Sequence, residues 1–311
     1  MKVLLTGASS FTGFWFAKVM REKGHDIVAP LRGGQGSYSG TRAKRVTLLE
    51  SLGVKVLYGV SFGSGPFLEI IREGFDIICH HAAIVNNYKS MDFDVLLALK
   101  QNTYDIRSVF EVARKVGVRT IVHTGSVFEQ GEGCGERPLK AFSPYGLSKG
   151  LTHQVLEYWA GEFGVTLLKF VISNPFGPYE EARFCNYLLS CWTKGEIAVL
   201  KTPEYIRDNI HVSLLALAYN DFVENRSGSL FSEKYGPSGY IESQGEFARR
   251  FAREIGQRLK IETPLQFLEQ KEFLEPKVRI NVDRLKGYNL GWNEEEAWDF
   301  LAEYYRKTIL F

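Results

Sequence analysis

A strand, a glycine-rich turn and a helix near the start of the sequence determine the fold class. Residues 2–13 read KVLLTGASSFTG, in which a strand pattern, Lys2–Thr6, runs directly into Gly7. Apolar residues then recur at helical spacing from Phe11 to Val19. A turn of this kind lets backbone N–H groups and the amino terminus of a helix meet a pyrophosphate, whose charge the helix dipole favours. The sequence therefore predicts a dinucleotide-binding βα unit.

Further units of strand and helix follow along residues 1–173. Helical patterns, such as the amphipathic one over Asn102–Lys115 and another that begins near Tyr145, separate the strands. This alternation predicts the α/β class, with a Rossmann-type doubly wound parallel sheet. The remaining strands are predicted at Asp26–Leu31, Val54–Tyr58, Asp76–His80, Thr120–Thr124 and Thr166–Ile172.

The alternation loosens from Asn174 onward, where prolines interrupt it and mainly helical patterns follow. We therefore expect two domains. Residues 1–173 form the dinucleotide-binding Rossmann domain, and residues 205–232, which contain the segment Arg207–Val212, are expected to return to it, as the family resemblance given below implies. Residues 174–204 and 233–311 form a smaller, mainly helical C-terminal domain that binds the substrate.

The charge balance argues against several classes of partner. The 311 residues include 38 Lys plus Arg and 36 Asp plus Glu, which gives a formal net charge of +2. A nearly neutral chain offers no electrostatic reason to expect nucleic acid or an anionic membrane as a partner. No apolar run approaches the roughly 18 residues that span a bilayer. The four cysteines form no Cys-x-x-Cys pair and have no histidine at metal spacing, so we expect no metal site and a reducing, cytoplasmic location.

The end of the second strand concerns the choice of cofactor. It reads Ala29-Pro30-Leu31-Arg32 and carries no carboxylate for the ribose 2′-OH that NAD(H) presents. Because arginine accommodates the 2′-phosphate of NADP(H), Arg32 favours NADP(H) over NAD(H). The other cofactor-binding residues predicted from the turn are Gly7, Ser9, Ser10, Phe11, Thr12 and Gly13.

A candidate catalytic pair lies at the start of the long helix, in Tyr145-Gly146-Leu147-Ser148-Lys149. Residues four apart on a helix share a face, with Cβ atoms about 5–6 Å apart. A neighbouring ammonium favours the phenolate form of a tyrosine. Tyr145 is therefore a candidate general acid/base for a hydroxyl or carbonyl group, and Lys149 is its activator.

Several motifs in a consistent order carry a family resemblance. They are residues 6–13, Asp76–Ala83, Asn102, Tyr145 with Lys149, Asn174–Pro178, Arg207–Val212 and Leu290–Trp292. In these motifs the chain resembles extended short-chain dehydrogenases/reductases of the NAD(P)-dependent nucleotide-sugar epimerase/dehydratase family. The one departure in the first motif is Ser10, which stands where the family has the middle glycine of its G-x-x-G-x-x-G loop.

The resemblance assigns roles to individual residues. It implies that Ala82 and Ala83 lie beneath the cofactor and that Lys149 also hydrogen-bonds the nicotinamide ribose. It implies that Asn174 binds the nucleotide portion of a nucleotide-sugar substrate and that Arg207 contacts the diphosphate. Family members commonly pair the helices equivalent to those carrying Asn102 and Tyr145, so a homodimer is expected.

The family's third catalytic residue is a Ser or Thr after the fifth strand, which polarises the substrate oxygen beside the tyrosine. The local sequence is Val122-His123-Thr124-Gly125-Ser126-Val127-Phe128. A gapless alignment selects Ser126, whereas alignment on Val127-Phe128 selects Thr124. We favour Ser126 and keep Thr124 as the alternative.

The same stretch bears on the type of reaction. Family members that dehydrate sugars carry an Asp-Glu pair directly after the catalytic Ser or Thr, but Val127-Phe128 follows Ser126, and we interpret Glu129 as a loop residue. A nucleotide-sugar 4,6-dehydratase is therefore disfavoured. The chemistry left for Ser126, Tyr145 and Lys149 is hydride transfer at a sugar carbon, as in 4-epimerisation or reduction of a 4-ketosugar. Arg32 tilts this choice toward reduction, since NADPH usually supplies net reductions.

An alternative from another class is a redox sensor or scaffold that binds a dinucleotide without turnover. The intact pair of Tyr145 and Lys149 argues against it, because a non-catalytic binder has no need of that pair. Turnover of nucleotide sugars would separate the two hypotheses.

Overall fold

The structure is a computed structural model that describes residues 1–228, 231–285 and 287–308. The helices, in chain order, are α1 (Phe11–Glu22), α2 (Gly40–Ser51), α3 (Gly65–Arg72), α4 (Val95–Asn102), α5 (Ile106–Lys115), α6 (Pro144–Phe163), α7 (Phe184–Trp192), α8 (Val212–Arg226), α9 (Gln244–Leu259) and α10 (Glu294–Thr308), with a 3₁₀ turn at Gly287–Leu290. The first eight strands are β1 (Lys2–Thr6), β2 (Asp26–Leu31), β3 (Lys55–Tyr58), β4 (Ile77–His80), β5 (Thr120–Ser126), β6 (Cys134–Gly135), β7 (Thr166–Ile172) and β8 (Asn174–Phe176). The others are β9 (Ala198–Leu200), β10 (Ile206–His211), β11 (Lys234–Tyr235), β12 (Pro237–Ser238), β13 (Tyr240–Ser243), β14 (Leu265–Phe267), β15 (Arg279–Ile280) and β16 (Asp283–Arg284).

Unit 1 of the chain contains a seven-stranded parallel sheet. This unit comprises Met1–Glu132, Leu139–Ile172 and Ala216–Gly236. The strand order is β11-β7-β5-β4-β1-β2-β3, and every neighbouring pair is parallel. Buried apolar side chains of the strands pack against helices such as α3, α5 and α6. The α/β class and the Rossmann-type parallel sheet predicted from the sequence are confirmed.

The single helix predicted over Asn102–Lys115 is wrong, because the chain breaks there between α4 and α5. Asp105, which precedes α5, has a left-handed backbone with φ of 44°. The turn before it packs closely on another loop, since a Cβ built on Gly63 would lie 1.8 Å from the Tyr104 carbonyl oxygen. Asn102 is the last residue of α4 rather than the first of a new helix.

Unit 2 has its own small sheets and its own core. It comprises Gly133–Pro138, Ser173–Leu215 and the chain from Pro237 onward. Strand β10 pairs in parallel with β8 and antiparallel with β13. Because of this pairing β10 belongs to unit 2, and the chain returns to unit 1 at Ala216, inside α8. Aromatic side chains of β8, α9 and α10, including Phe176, Phe247 and Trp298, form the core.

The described residues lack two features. No helix among them has the length and apolar character needed to cross a membrane. No three His, Cys, Asp or Glu side chains in that part of the chain are grouped so that they could hold a metal ion.

Candidate functional site

The turn after β1 is packed so tightly that two of its positions require glycine. Gly7 has a φ of 75°, and a Cβ built on it would lie 2.8 Å from the Ala82 backbone nitrogen. A Cβ on Gly13 would lie 2.2 Å from the Gly7 carbonyl oxygen. The Ser10 Oγ accepts a 3.1 Å hydrogen bond from the Gly13 N–H and caps α1. This bare backbone at a helix amino terminus fits the pyrophosphate of a dinucleotide.

His81 connects this turn to the segment after β4. Its Nε2 lies 3.1 Å from the Ser10 Oγ and 3.0 Å from the Thr12 Oγ1. Burial, together with the Lys149 and His80 charges, lowers the pKa of His81 to about 3, so its ring is neutral at physiological pH. Sequence reasoning gave His81 no role. The sequence did contain one signal for such a role, since His81 directly precedes Ala82, which was predicted to lie beneath the cofactor.

Two arginines of α2 hold Ser9. The Arg42 Nε and Nη2 donate to the Ser9 Oγ at 3.1 and 2.8 Å, and the buried Arg45 donates from Nε to the Ser9 carbonyl at 3.0 Å. Arg32, the residue after β2, donates to the Gln101 Oε1 at 3.3 Å and is exposed. Ser9, a residue of the turn, thus lies beside the Arg42 guanidinium. A guanidinium is the kind of group that binds a phosphate.

Helix α6 carries the candidate catalytic pair in its first turns. The Ser143 Oγ caps the helix by accepting from the Gly146 N–H, and Pro144 follows as its first residue. The Tyr145 ring lies edge-on to Tyr88, at 5.6 Å between ring centroids, and to Phe93, at 5.8 Å. These aromatic contacts orient the phenol ring.

Lys149 is almost fully buried, at 3% exposure, and its Nζ donates a 2.6 Å hydrogen bond to the Thr124 carbonyl. Burial lowers its pKa to about 8, an effect that the Glu129 charge opposes and the Lys169 charge reinforces. An ammonium has three donors, so two remain for a ribose hydroxyl or a neighbouring phenol.

The two candidates for the catalytic hydroxyl differ in environment. Ser126 ends β5, is half-buried, and accepts a 3.2 Å hydrogen bond at its Oγ from the Phe128 N–H. Thr124 is 3% exposed, and its hydroxyl lies beside the Tyr219 phenol of α8.

Glu129 lies in the turn after β5, as the loop prediction has it, but its buried contacts were not predicted from the sequence. It has no exposed surface. Its Oε1 accepts from the Ser126 N–H at 2.7 Å, and its Oε2 lies 2.7 Å from the Lys169 Nζ. Nothing local in the sequence marks Glu129, because its ionic partner lies on β7, far along the chain.

Asn174 and Arg207, the predicted substrate residues, lie in unit 2 on the paired strands β8 and β10. The Asn174 Nδ2 is buried and has no hydrogen-bond partner among the described residues. The Arg207 guanidinium donates to the Glu275 Oε2 at 3.0 Å and to the carbonyls of Ile206, Pro276 and Lys277 at 2.9 to 3.1 Å. The structure therefore places Arg207 in an ion pair with Glu275, whose side chain is 54% exposed.

Comparisons with known proteins bear on both the family and the fold. The family model described as "NAD dependent epimerase/dehydratase family" matches residues 3–230. An uncharacterized UDP-glucose epimerase of Bacillus subtilis (strain 168), YtcB, is 23% identical over 247 residues, which cover 68% of this chain and 76% of that protein.

Solved structures match over nearly the whole chain. The UDP-glucose 4-epimerase of Thermotoga maritima, solved with UDP-glucose, has a TM-score of 0.71 at 20% identity and covers 99% of this chain and 100% of its own. The UDP-glucuronic acid 4-epimerase of Bacillus cereus, solved with UDP-glucuronic acid and NAD, has a TM-score of 0.76 at 14% identity and covers 100% of both chains. These matches independently confirm the predicted fold class.

Proposed function

Because the chain belongs to the NAD-dependent epimerase/dehydratase family, as its motifs predicted, we propose that it catalyses the 4-epimerisation of a nucleotide sugar by hydride transfer. The observation that carries this proposal is the buried Lys149 ammonium, bonded to the Thr124 carbonyl one helical turn after Tyr145. The solved relatives named above are 4-epimerases of UDP-sugars, which supports the same class of substrate.

The cofactor would be held by the turn Gly7–Gly13 and by Ala82 and Ala83, since the close packing at Gly7 and Gly13 leaves no room for a Cβ there. When bound, a nicotinamide dinucleotide accepts a hydride from the sugar carbon and gives it back. Two further donors of Lys149 are available for the nicotinamide ribose.

Tyr145 acts as the acid/base in this proposal. Its phenolate oxygen takes the proton of the C4 hydroxyl as the hydride leaves C4, which gives a 4-ketosugar. The same oxygen returns the proton when the hydride returns to the opposite face of C4. The Lys149 charge stabilises the phenolate, and the Ser126 hydroxyl donates a hydrogen bond to the substrate oxygen.

We infer that Ser126, rather than Thr124, supplies this hydroxyl. The Ser126 Oγ accepts from the Phe128 N–H, which occupies a lone pair and leaves the O–H to donate. Thr124 is more deeply buried and faces Tyr219.

The proposed cofactor is NADP(H) in preference to NAD(H). Arg32 follows β2 where an acidic residue would bind the 2′-OH of NAD(H), and Arg42 donates two hydrogen bonds to Ser9 of the turn. These guanidinium groups also favour a second candidate function, the reduction of a 4-ketosugar nucleotide by NADPH. The Bacillus cereus relative was solved with NAD, and the affinities of this chain for NADP(H) and NAD(H), compared by calorimetry, test the preference.

Asn174 and Arg207 are the proposed substrate contacts in unit 2. The buried Asn174 amide lacks a partner among the described residues, which supports a role in hydrogen bonding to the nucleotide portion. Arg207 has a planar donor group suited to a diphosphate. A diphosphate would replace the Glu275 carboxylate there, since that side chain is more than half exposed.

A homodimer is the proposed assembly, through α4 and α6. On α6, Leu147 and Tyr158 are exposed and recur on one face with helical spacing. On α4, Leu96 and Leu97 are also exposed, with Leu96 at 75%. Light scattering checks this by measuring the molar mass in solution. We expect a dimer for the wild-type chain and a monomer for the double variant Leu96→Glu, Tyr158→Glu.

The function is tested with the cofactor-loaded protein. It is incubated with UDP-glucose, UDP-glucuronic acid or UDP-N-acetylglucosamine, and the anomeric proton signals are followed by NMR. A parallel series uses NADPH or NADH with 4-ketosugar nucleotides. Formation of a C4 epimer supports the proposal, and oxidation of NADPH by a ketosugar supports the second candidate. Neither reaction, with cofactor still bound, would favour a non-catalytic dinucleotide-binding sensor or scaffold.

A further inference from the structure

A line of charged side chains runs from the Ser126 amide to the surface of unit 1. The Lys169 Nζ lies 2.7 Å from the Glu129 Oε2 and 2.7 Å from the Glu132 Oε1. The other oxygen of Glu132 lies 3.1 Å from the Nζ of Lys234, a half-exposed residue on β11. Acid and base alternate along the line, so each charge has an opposite neighbour.

The inner part of this line is nearly closed to water. The side chain of Glu129 is 0% exposed, and that of Lys169 is 6% exposed. Desolvating such a pair offsets much of its mutual attraction, and apolar residues of similar volume would often stabilise a fold as well. Stability alone therefore gives a weak reason for charges at this place, directly behind Ser126.

Glu129 holds the Ser126 backbone on both sides. Its carboxylate accepts from the Ser126 N–H at 2.7 Å, and its own N–H donates to the Ser126 carbonyl at 3.0 Å. Together with the Phe128 N–H, which donates to the Ser126 Oγ at 3.2 Å, these bonds fix the amide, the carbonyl and the hydroxyl oxygen of one residue.

The residue before Ser126 makes room for the ion pair. A Cβ built on Gly125 would lie 2.7 Å from the Lys169 Cε and 3.0 Å from the Glu129 Oε1. The pair thus lies directly against the backbone of β5. A displacement of the Glu129 carboxylate would therefore be transmitted to Ser126, whose N–H it accepts.

We propose that Glu129, fixed by Lys169, is a positioning residue for the Ser126 hydroxyl. The inference rests on the proposed function, in which Ser126 donates to the substrate oxygen. Glu129 is too deeply buried to meet a substrate, so it acts through Ser126. Its negative charge also opposes the lowering of the Lys149 pKa, which helps to keep that ammonium charged.

The test compares Glu129→Gln with Glu132→Gln in the cofactor-loaded protein. Both variants remove one carboxylate from Lys169, but only Glu129 contacts the Ser126 amide. In Glu129→Gln the ammonium competes for the single carbonyl oxygen of the new amide. We expect kcat to fall about 10- to 100-fold with little change in KM, as for a misplaced catalytic group. Glu132→Gln should leave kcat near the wild-type value.

A second readout does not depend on turnover. The Ser126 amide proton, bonded to a buried carboxylate, should resonate downfield in NMR spectra, and it should move upfield in Glu129→Gln but not in Glu132→Gln. If Glu129→Gln does not fold, Glu129→Asp takes its place. It keeps the charge beside Lys169 and shortens the reach to the Ser126 N–H, so it should also lower kcat and shift the amide.

The outcomes separate this inference from the proposed function. Equal kcat losses in the two Gln variants, an unchanged kcat in the Glu129 variant, or an unmoved amide signal would each overturn the inference. A wild-type protein that converts none of the sugars overturns the proposed function instead, and the amide signal then still decides whether Glu129 fixes Ser126.

Discussion

The Lys149 Nζ donates a 2.6 Å hydrogen bond to the backbone carbonyl of Thr124. This bond joins α6 to β5 at the carboxyl end of the sheet, two residues before Ser126 and one helical turn after Tyr145. It uses one of the three N–H donors of the ammonium, and it thereby fixes the position from which the other two can donate. The positions of Tyr145, Lys149 and Ser126 relative to one another therefore depend on a hydrogen bond within the protein. The cofactor is not needed to form it.

Replacing Tyr145 with Phe should separate binding from turnover. The ring contacts with Tyr88 and Phe93 remain available to phenylalanine, whereas the acid/base oxygen is lost. We expect unchanged affinity for the dinucleotide by calorimetry and a loss of about 10²- to 10⁴-fold in kcat, the usual contribution of a positioned acid/base. A variant with wild-type kcat would show that another group moves the proton.

The pH profile of turnover should report Lys149. Its pKa is lowered to about 8, so raising the pH through that value removes the ammonium that favours the Tyr145 phenolate. We expect kcat to fall above about pH 8. The charged and titratable groups around Lys149 include Tyr145 on the same helix and Glu129, Lys169, His80, His81, His123 and His153.

The matched control for this profile is Lys149→Met, which cannot titrate. Its residual activity should lack the fall above pH 8 that the wild-type pKa predicts. A wild-type profile that stays flat to higher pH would contradict the assigned role of the ammonium.

Two glycines of α6 offer a matched pair of substitutions. A Cβ on Gly146 would lie 2.2 Å from the Phe128 carbonyl oxygen, whereas Gly161 has nothing within 4 Å of that position. Gly146→Ala should therefore push α6 away from the turn after Ser126, which costs about 1–3 kcal/mol of stability and lowers kcat. Gly161→Ala should raise the free energy of unfolding by about 0.5–1 kcal/mol and leave kcat unchanged. Urea unfolding and steady-state kinetics check both, and similar effects in the two variants would contradict the packing described for Gly146.

His123 should make the protein less stable in acid. It is fully buried on β5, stacks on His153, and neither ring nitrogen has a hydrogen-bond partner among the described residues. Burial and nearby positive charges hold its pKa well below 6.5, so below that pH only the unfolded chain binds the proton. Protonation therefore favours unfolding, by up to about 1.4 kcal/mol per pH unit for one group.

The variant His123→Phe tests this relation. The free energy of unfolding at neutral pH should change little, and its decline between pH 6.5 and 4 should become less steep. His80→Phe is the contrasting substitution, because His80 contacts the Thr6 hydroxyl at 3.1 Å and the Asn102 carbonyl at 3.0 Å. It should destabilise the protein at neutral pH, and an equal loss at neutral pH in His123→Phe would contradict the unpartnered state described for the His123 ring.

The parts of the fold that local patterns determine were predictable. The predicted strands Lys2–Thr6, Asp26–Leu31 and Thr166–Ile172 agree with β1, β2 and β7, because apolar runs bounded by turn residues mark buried parallel strands. The break between α4 and α5 was not predictable in this way. It depends on the left-handed Asp105 and on the packing of Tyr104 against Gly63, which are tertiary features.

The residues of the candidate site fall into the same two classes, those that a local motif marks and those that only tertiary contacts mark. Gly7, Gly13, Tyr145 and Lys149 stand in motifs whose spacing carries the chemistry, so sequence reasoning could single them out. Glu129 could not be found in that way, because what distinguishes this carboxylate is its buried ion pair with Lys169, which lies on β7. The partners of His81 were not predictable in that way either, since its contacts with Ser10 and Thr12 join two segments distant in sequence.

In the proposed reaction a hydride leaves C4 of a nucleotide sugar and returns to the same carbon. The most direct measurement uses UDP-glucose deuterated at C4 with the cofactor-loaded protein, followed by NMR of the product. We predict a C4 epimer that retains the deuterium at C4, since Tyr145 exchanges only the hydroxyl proton. An epimer with solvent hydrogen at C4, or no epimer while the cofactor stays bound, would contradict it.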